Sequence, residues 1–353
     1  MIMTFITDLV AEHEIQMEER LVRLFPLTTG QWVSEEQWPV GFGFSLCKFE
    51  DTIYIWGGRQ IQLDGAFQCL PRCYVYTLNL TTLEWKTLEA TGDDPPHCHW
   101  SSCAQIENLV YIFGGLDKDS EANNNILTFE PKVARFEKNE VSGYRPNPRF
   151  GHQGWSFRGK VFFFGGKQRS LPTAEHGSFD NGVYQFDPES RSWSQVETKG
   201  VQPKPRYLHT AERVQDQVFV HGGFSSAGIL NETLVLDLVS MTWTLLSTNG
   251  PKLYGHSLVA TVRPPLNLFL IGGSPTYGGA TCISKWVWLF DAVGNTWKKT
   301  RALPHHMVGQ YGGLRNHHSI VMVHNEEMFI VTLGGFKDAA KRRHPEHILI
   351  YKV

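Results

Sequence analysis

The stretch "NLVYIFGGLD", residues 108–117, is an apolar run that ends in two adjacent glycines. The same ending occurs five more times, at residues 54–58, 162–166, 219–223, 269–273 and 331–335. Six copies at a spacing of roughly 50 to 60 residues are typical of a propeller or another repeat array. The Gly-Gly ending therefore sets the fold class, and we expect its glycines to permit a close backbone approach that a Cβ would block.

A second feature of the repeat is an aromatic residue before each Gly-Gly pair, at a constant distance in four of the six cases. The count from the aromatic residue to the first glycine is 29 in four consecutive cases, positions 85–114, 136–165, 193–222 and 243–272. Between these marks lie short apolar stretches with turn residues, which predict four antiparallel strands per unit and no helix within it. Six such units arranged radially form a propeller that protects its sheet edges by repetition. The sequence thus predicts an all-β, six-bladed propeller.

These marks resemble the kelch repeat, which has a Gly-Gly pair ending the second strand, a Tyr or Phe in the third and a Trp in the fourth. The resemblance covers residues 32–353 and departs at Phe136, which replaces the Trp of the second repeat. Longer stretches such as "PKPRYLHTAERVQDQVFVHGGF" are similar to the intracellular kelch domain-containing proteins, some of which read protein C-termini for cullin-RING ubiquitin ligases. The resemblance implies a protein-interaction module, with a ligase substrate receptor as an alternative.

The two ends of the chain indicate how the ring closes. After the last Gly-Gly pair only one strand-like stretch follows, "HILIYKV", so the last repeat is one strand short. Trp32 precedes the first Gly-Gly pair by about 25 residues, much as the other aromatics precede theirs. We therefore expect the segment around Trp32 to supply the outer strand of the last blade. Residues 29–353 then form one domain, and residues 1–28 form an extension with an amphipathic helical pattern.

Composition narrows the range of partners and compartments. A net charge of −2 gives no general attraction to nucleic acid or to an anionic membrane, and no apolar run is long enough to span a bilayer. Six irregularly spaced cysteines indicate reduced thiols rather than a disulfide framework. We expect a cytoplasmic protein, with the nucleus as a further compartment, that works as a monomeric propeller within a larger complex and binds a protein or peptide.

Two sets of loop residues are predicted to meet at one mouth of the central channel: those that follow each Gly-Gly pair and those that precede each innermost strand. Rigidly held loops commonly carry binding residues, and arginines among aromatics suit an acidic or carboxylate-bearing segment. Phe44 is assigned as the aromatic of the first unit. The predicted binding residues are Arg59, Gln60, Trp100, Phe150, Lys167, Arg169, Tyr207, Phe224, Tyr254, Tyr311, Arg315, Asn316, His317, Lys337, Arg342 and Arg343.

One spacing departs from the repeat, because 37 residues instead of 29 separate Trp297 from Gly334. The surplus lies in "HHMVGQYGGLRNHH", and we expect this longer loop to help select the partner. In the diglycine-reading relatives, arginines and a serine hold the C-terminal carboxylate. Phe224, Ile229 and Tyr254 stand at those positions here, which argues against a pocket of that design.

A recurring histidine raises the question of metal binding or catalysis. His152, His209, His256 and His318 open the innermost strand in four repeats. Because they occupy one repeat position in different blades, we expect structural roles rather than a shared coordination sphere. No catalytic motif, metal site or cofactor is predicted, and a propeller enzyme or a metal-dependent specifier protein is a second alternative.

Overall fold

The computed structural model describes residues 42–61, 67–69, 71, 73–82, 84–93, 99–168, 178–261, 267–275, 284, 286–292, 294–302, 318–324, 327–333 and 348–352. These residues form β-sheets, with one 3-10 turn at Pro131–Val133. Among them no helix is long and apolar enough to cross a membrane. The predicted extension at residues 1–28 and the strand around Trp32 lie outside the described residues.

Five complete sheets follow one another along the chain, and each runs up and down from an innermost to an outermost strand. Blade 1 consists of Ser45–Phe49, Thr52–Trp56, Tyr74–Asn79 and Trp85–Glu89. Blade 2 contains Ser102–Ile106, Leu109–Phe113, Ile126–Glu130 and Arg135–Lys138. Blade 3 contains Gln153–Phe157, Lys160–Phe164, Val183–Asp187 and Ser192–Val196. Blade 4 contains Thr210–Val214, Gln217–His221, Thr233–Asp237 and Thr242–Ser247, and blade 5 contains Tyr254–Ala260, Asn267–Ser274, Trp286–Asp291 and Thr296–Ala302. Two short hairpins extend from the ends of second strands, Arg59–Ile61 with Phe67–Cys69 and Phe224–Ser225 with Gly228–Ile229.

The all-β propeller prediction is confirmed, but the count of six blades must be corrected to five complete blades in the described residues. The remaining strands, His318–His324, Glu327–Leu333 and Ile348–Lys352, form a sheet of three. Its third strand, Ile348–Lys352, lies within the terminal stretch that the sequence predicts as the last strand. This sheet lacks a fourth strand among the described residues, and that shortage is why the count differs.

Blades 2, 3 and 4 also depart from the predicted four antiparallel strands, because each carries a fifth, parallel strand at its outer edge. These strands of two residues come from the linkers that enter each blade: Thr91–Gly92, Ser142–Gly143 and Lys199–Gly200. Each ends in a glycine with a left-handed φ, for example +78° at Gly200. A Cβ on Gly200 would lie 2.2 Å from the carbonyl oxygen of Trp243, so glycine is what allows the linker to pair there.

The Gly-Gly pairs act as the sequence analysis predicts. Gly223 has a φ of +93°, and a Cβ there would lie 2.7 Å from the Cβ of His209, which directly precedes the innermost strand. Gly222 would bring a Cβ within 2.6 Å of the carbonyl oxygen of Leu253, which precedes the next blade. The pair therefore lets the second strand approach both its own innermost strand and the next blade.

The hydrophobic core lies between neighbouring blades rather than within any one of them. Phe164 of blade 3 and Val220 and Trp243 of blade 4 belong to one buried cluster. In the same way Leu333 of the three-stranded sheet packs with Phe44 of blade 1. Each sheet is thus stabilised by the sheets on either side of it.

Candidate functional site at the channel mouth

The two predicted sets of loop residues are paired with each other by the backbone. In five blades, the residue after the Gly-Gly pair forms an antiparallel bridge with a residue that precedes or begins an innermost strand. The bridges are Phe42 with Arg59, His99 with Leu116, Phe150 with Lys167, Tyr207 with Phe224, and Tyr254 with Ser274. These bridges place the two sets side by side in each of the five blades, as the prediction requires.

Five aromatic side chains, Trp100, Phe150, Tyr207, Phe224 and Tyr254, form a continuous arc around the mouth, which we call the rim. Consecutive ring centroids are 5.8, 5.8, 6.0 and 6.1 Å apart. Trp100 stacks on Phe150, and the other neighbours meet edge to face, which are the arrangements that aromatic pairs prefer. Trp100, Phe150 and Phe224 are half-buried, whereas Tyr207 and Tyr254 are buried. The rim thus presents a partly exposed aromatic surface on a rigid base.

Two further aromatic residues lie next to the rim and are not among the predicted binding residues. Phe42 lies 6.3 Å from Trp100, and Phe179 lies 5.4 Å from Tyr207. Phe44, which the sequence analysis places at the mouth, is only 1% exposed and belongs to the core of blade 1. The motif "FGF" has the same frame as "FGH" and "YGH" in blades 3 and 5, and that alignment would have identified Phe42.

A belt of inter-blade hydrogen bonds, which the repeat pattern does not predict, runs beneath the rim. Trp100 N–H donates to the Gly43 carbonyl at 2.7 Å, and Gly151 N–H donates to the Trp100 carbonyl at 2.9 Å. The chain continues from Leu208 N–H to Gly151 and from Gly255 N–H to Leu208, both at 2.8 Å. All five residues have left-handed φ values of +50° to +67°. The conformation is natural for the three glycines and strained for Trp100 and Leu208.

The recurring histidines lie in three separate junctions between blades, directly below this belt. The ring of His152 meets Phe113 edge to face at 5.2 Å, and that of His209 meets Phe164 at 5.1 Å. His256 meets His221 of blade 4 at 5.5 Å. Burial, followed by the nearby Arg149, lowers the pKa of His152 to about 3, so its ring is neutral near pH 7. The predicted structural role agrees with this geometry.

The register of the three-stranded sheet corrects one histidine assignment. His318 pairs with Leu333, the residue before the Gly-Gly pair, whereas His256 pairs with the first glycine, Gly272. His318 is therefore the counterpart of Ser257, and His317 is the sequence counterpart of His256. The two adjacent histidines in "NHHS" displaced the alignment of this repeat with the others by one residue.

Arg59, one of the predicted binding residues, contacts the neighbouring blade. Its Nη2 donates to the Ser120 hydroxyl at 2.9 Å and to the Lys118 carbonyl at 3.2 Å, which ties the loops of blades 1 and 2 together. Lys167 lies beside the rim, with its ammonium 5.6 Å from the ring centroids of both Phe179 and Tyr207. Among the described residues, no carboxylate forms an ion pair with Lys167. Lys167 is thus the predicted positively charged binding residue that the described part of the mouth can offer to an acidic segment.

The other predicted binding residues lie outside the described part of the chain. They are the side chain of Gln60 and the residues Arg169, Tyr311, Arg315, Asn316, His317, Lys337, Arg342 and Arg343. The eight-residue surplus after Trp297 falls there too.

Two buried arginines support the rim from below and were not singled out by the sequence analysis. Arg206 is fully buried, donates from Nη1 to the Gly222 carbonyl at 3.1 Å and pairs with Glu232. Arg149 does the same in blade 3, donating to Gly165 at 3.1 Å and pairing with Asp180 at 3.2 Å. The repeated "PRF" and "PRY" just before the rim aromatics could have revealed them.

The channel mouth leads into a small cavity of about 50 Å³. Trp100 and Leu208 line it together with His152, His209 and His256. The described residues contain no group of three or more His, Cys, Asp or Glu side chains that could hold a metal ion. The cavity can take the tip of a side chain or a few water molecules.

Radial sheets, Gly-Gly second-strand ends and outer-strand tryptophans define a kelch-type β-propeller with an aromatic channel mouth. The profile of the KLHDC2/KLHL20/DRC7 Kelch-repeats domain matches residues 43–273 and 173–335. The chain therefore belongs to this kelch-repeat family, as the sequence resemblance indicates.

Several proteins are similar to this chain over much of its length. Kelch domain-containing protein 1 of Mus musculus is 28% identical over 315 residues, which cover 81% of this chain and 73% of that protein. Kelch domain-containing protein 2 of Bos taurus is 28% identical over 267 residues, covering 67% of this chain and 65% of that protein. The Rab9 effector protein with kelch motifs of Mus musculus is 31% identical over 155 residues, 43% of this chain and 39% of that protein.

Among solved structures, one titled "Structure of YjhT" superposes with a TM-score of 0.64. It covers 89% of this chain and 98% of the other at 17% identity, which supports the propeller fold alone.

Proposed function

We propose that the rim binds an extended segment of a protein partner, so that this kelch propeller acts as a protein-interaction module. The observation that carries the proposal is the backbone at Trp100 and Leu208. Glycine fills the same belt position in three other blades, so the fold itself does not require a bulky residue there. A left-handed bulky residue costs about 1–2 kcal/mol, and such strain is concentrated at functional sites. Binding is a reason to retain both side chains at the mouth.

The chemistry of the rim favours an acidic or carboxylate-bearing segment. Lys167 supplies a positive charge, and Trp100, Phe150 and Phe224 supply partly exposed rings with little conformational entropy to lose. The junction histidines contribute no charge near pH 7, because burial lowers the pKa of His152 to about 3 and that of His209 well below its usual value. The arginines and lysines predicted in the loops outside the described residues would add to the same preference.

Selection from a displayed peptide library tests this function. Wild-type protein should enrich peptides rich in Asp and Glu or peptides with a free C-terminus, and a Phe150→Ala, Lys167→Glu, Phe224→Ala variant should lose that enrichment. Tyr144→Ala is the matched control, since Tyr144 is an exposed aromatic outside the rim. Equal enrichment by the triple variant would rule out the rim as the binding site.

We also propose that the three-stranded sheet is a sixth blade, closed by the segment around Trp32. The support is its packing: Leu333 joins the core of blade 1, and Ile330 joins Val259 and Ile271 of blade 5. The sheet therefore contacts both ends of the row of five blades. Removal of residues 1–40 should lower the melting temperature of the whole propeller, and an unchanged melting curve would contradict this closure.

The wider biological setting stays a prediction. One relative is named as a Rab9 effector, which supports a protein partner for this propeller as part of a larger complex. A role as a ubiquitin-ligase receptor, the absence of enzymatic activity, and a cytoplasmic or nuclear location remain predictions from the sequence.

A further inference from the structure

The outer edge of blade 5 differs from the outer edges of blades 2, 3 and 4. In those three blades the incoming linker adds a parallel strand and hydrogen-bonds to the first carbonyls of the outer strand. In blade 4, Lys199 N–H donates to Met241 at 2.8 Å and Val201 N–H donates to Trp243 at 3.1 Å. The counterparts in blade 5 are the carbonyls of Asn295 and Trp297. Within the described residues no linker N–H reaches either of them.

The length of the linker explains the difference. From Phe136 to Arg149 and from Trp193 to Arg206 the chain advances 13 positions, whereas from Trp243 to Leu253 it advances 10. These end points are equivalent, since the carbonyls of Arg149, Arg206 and Leu253 all accept a hydrogen bond from the second glycine of the preceding blade. The linker into blade 5 is thus three residues shorter. It is fully described, and it runs past Trp297 with Gly250 against the indole instead of pairing along the edge.

The open edge also differs in charge. The outer strand reads "TWKKTRA", and Lys298, Lys299 and Thr300 are exposed. The ammonium of Lys299 lies 5.1 and 5.3 Å from the rings of Trp286 and Trp288, both half-buried. A register shift between Trp286 and Trp288 ends the regular ladder near Lys299. Lys298 also pairs with Asp291 of the neighbouring strand at 3.5 Å, so Lys299 is the main cation of this edge. Within the described part of the chain, the first four residues of the strand therefore offer an uncovered, regular and positively charged edge.

We propose that this edge binds an acidic, extended segment of a partner protein by strand addition, at a surface separate from the rim. Unpaired backbone groups on an edge strand are a template for another strand, and main-chain hydrogen bonds supply affinity in such complexes. Lys298 and Lys299 select for acidic side chains in the added strand, and they disfavour a second copy of this edge, which carries the same charges.

A synthetic octapeptide of alternating Glu and Val, acetylated and amidated at its ends, is a suitable probe because it carries no terminal carboxylate for the rim. It should bind full-length protein in a fluorescence-anisotropy titration and slow amide exchange in Thr296–Ala302. A Lys298→Glu, Lys299→Glu variant should weaken binding by roughly tenfold or more. Lys138→Glu is the matched control, because Lys138 occupies the position of Lys299 on the covered edge of blade 2.

Two further arms separate strand addition from other modes of association. The same peptide with N-methyl groups at alternate residues should lose binding, since it cannot form the main-chain ladder. Equal binding of the N-methylated peptide, or an equal loss with Lys138→Glu, would overturn the proposal. A concentration-dependent dimer that disappears in the Lys298→Glu, Lys299→Glu variant would assign the edge to a second copy and would also overturn it. Binding should be unchanged in the Phe150→Ala, Lys167→Glu, Phe224→Ala variant, whose edge strand is intact, and loss of binding in that variant would assign the peptide to the rim and overturn the proposal.

Discussion

The rim and the junctions beneath it are built from adjacent repeat positions, yet they tolerate change very differently. At the junctions, Gly223 lies against the Cβ of His209, Gly222 lies against the imidazole of His256, and Arg206 is fully buried. At the rim, Trp100 and Phe150 stack on each other and remain partly exposed. The junction residues are therefore constrained by the stability of the fold, whereas the rim residues can differ from blade to blade.

A side chain placed at a junction glycine should have the largest effect on stability. Gly223→Val should destabilise the propeller by roughly 3–5 kcal/mol, because its Cβ would lie 2.7 Å from that of His209 at a φ of +93°. Gly228→Val is the control: its φ is +100°, but a Cβ there meets nothing within 4 Å. Denaturant unfolding should show a much smaller loss for Gly228→Val. Equal losses would mean that the glycines relieve backbone strain alone and not the close approach of Gly223 to His209.

A buried charge is the next test of the junctions. Arg206→Leu should cost about 3 kcal/mol, because it leaves Glu232 at 13% side-chain exposure without its guanidinium partner. Arg206→Leu combined with Glu232→Leu should recover most of that loss, since the next blade already has Leu253 at the position of Arg206. Thermal melts of the single and double variants measure the recovery. A double variant as unstable as the single one would assign the loss to packing instead of charge.

A third, smaller effect is a pH dependence at the junction of blades 4 and 5. The repeat places Cys47, Ala104, Trp155 and Val259 at the position where blade 4 has Glu212. Burial raises the pKa of Glu212 to about 7, against weaker opposing effects of the Ala260 N–H and Arg213. The protonated carboxyl is favoured by folding. Its stabilising effect is complete below about pH 4.5 and is lost as the pH rises through about 7.

Glu212→Gln should therefore remove this dependence. The stability of the wild-type protein relative to Glu212→Gln should fall between about pH 4.5 and 7, and exposed Glu137→Gln should show no such trend. The comparison of variants is needed because the buried histidines act in the opposite direction. Burial lowers the pKa of His99, His152 and His221 to about 3. Their neutral rings therefore stabilise the folded state above about pH 6.5, and this stabilisation is lost as the pH falls. A constant difference between wild type and Glu212→Gln across this range would refute the assignment.

The sequence reveals the parts of the fold that depend on repetition. Gly-Gly pairs, outer-strand aromatics and the constant count of 29 indicate the strand order and the face on which the loops meet. Contacts between non-equivalent residues are not encoded in the repeat. Only the structure shows that Arg59 donates a hydrogen bond to Ser120 and that Phe179 lies beside Tyr207. It also shows how the short linker into blade 5 leaves the outer edge unpaired in the described part of the chain.

The most direct test of the central claim compares stability and binding in one rim variant. Trp100→Gly puts glycine at a belt position where blades 3 and 5 already have Gly151 and Gly255. The variant loses the aromatic packing of Trp100, but it also relieves the backbone strain, which offsets part of that loss. We predict a change in the free energy of unfolding of about 1 kcal/mol or less, together with loss of the peptides that the wild-type protein selects. Retained peptide binding by a stably folded Trp100→Gly protein would contradict the assignment of the rim as the working surface.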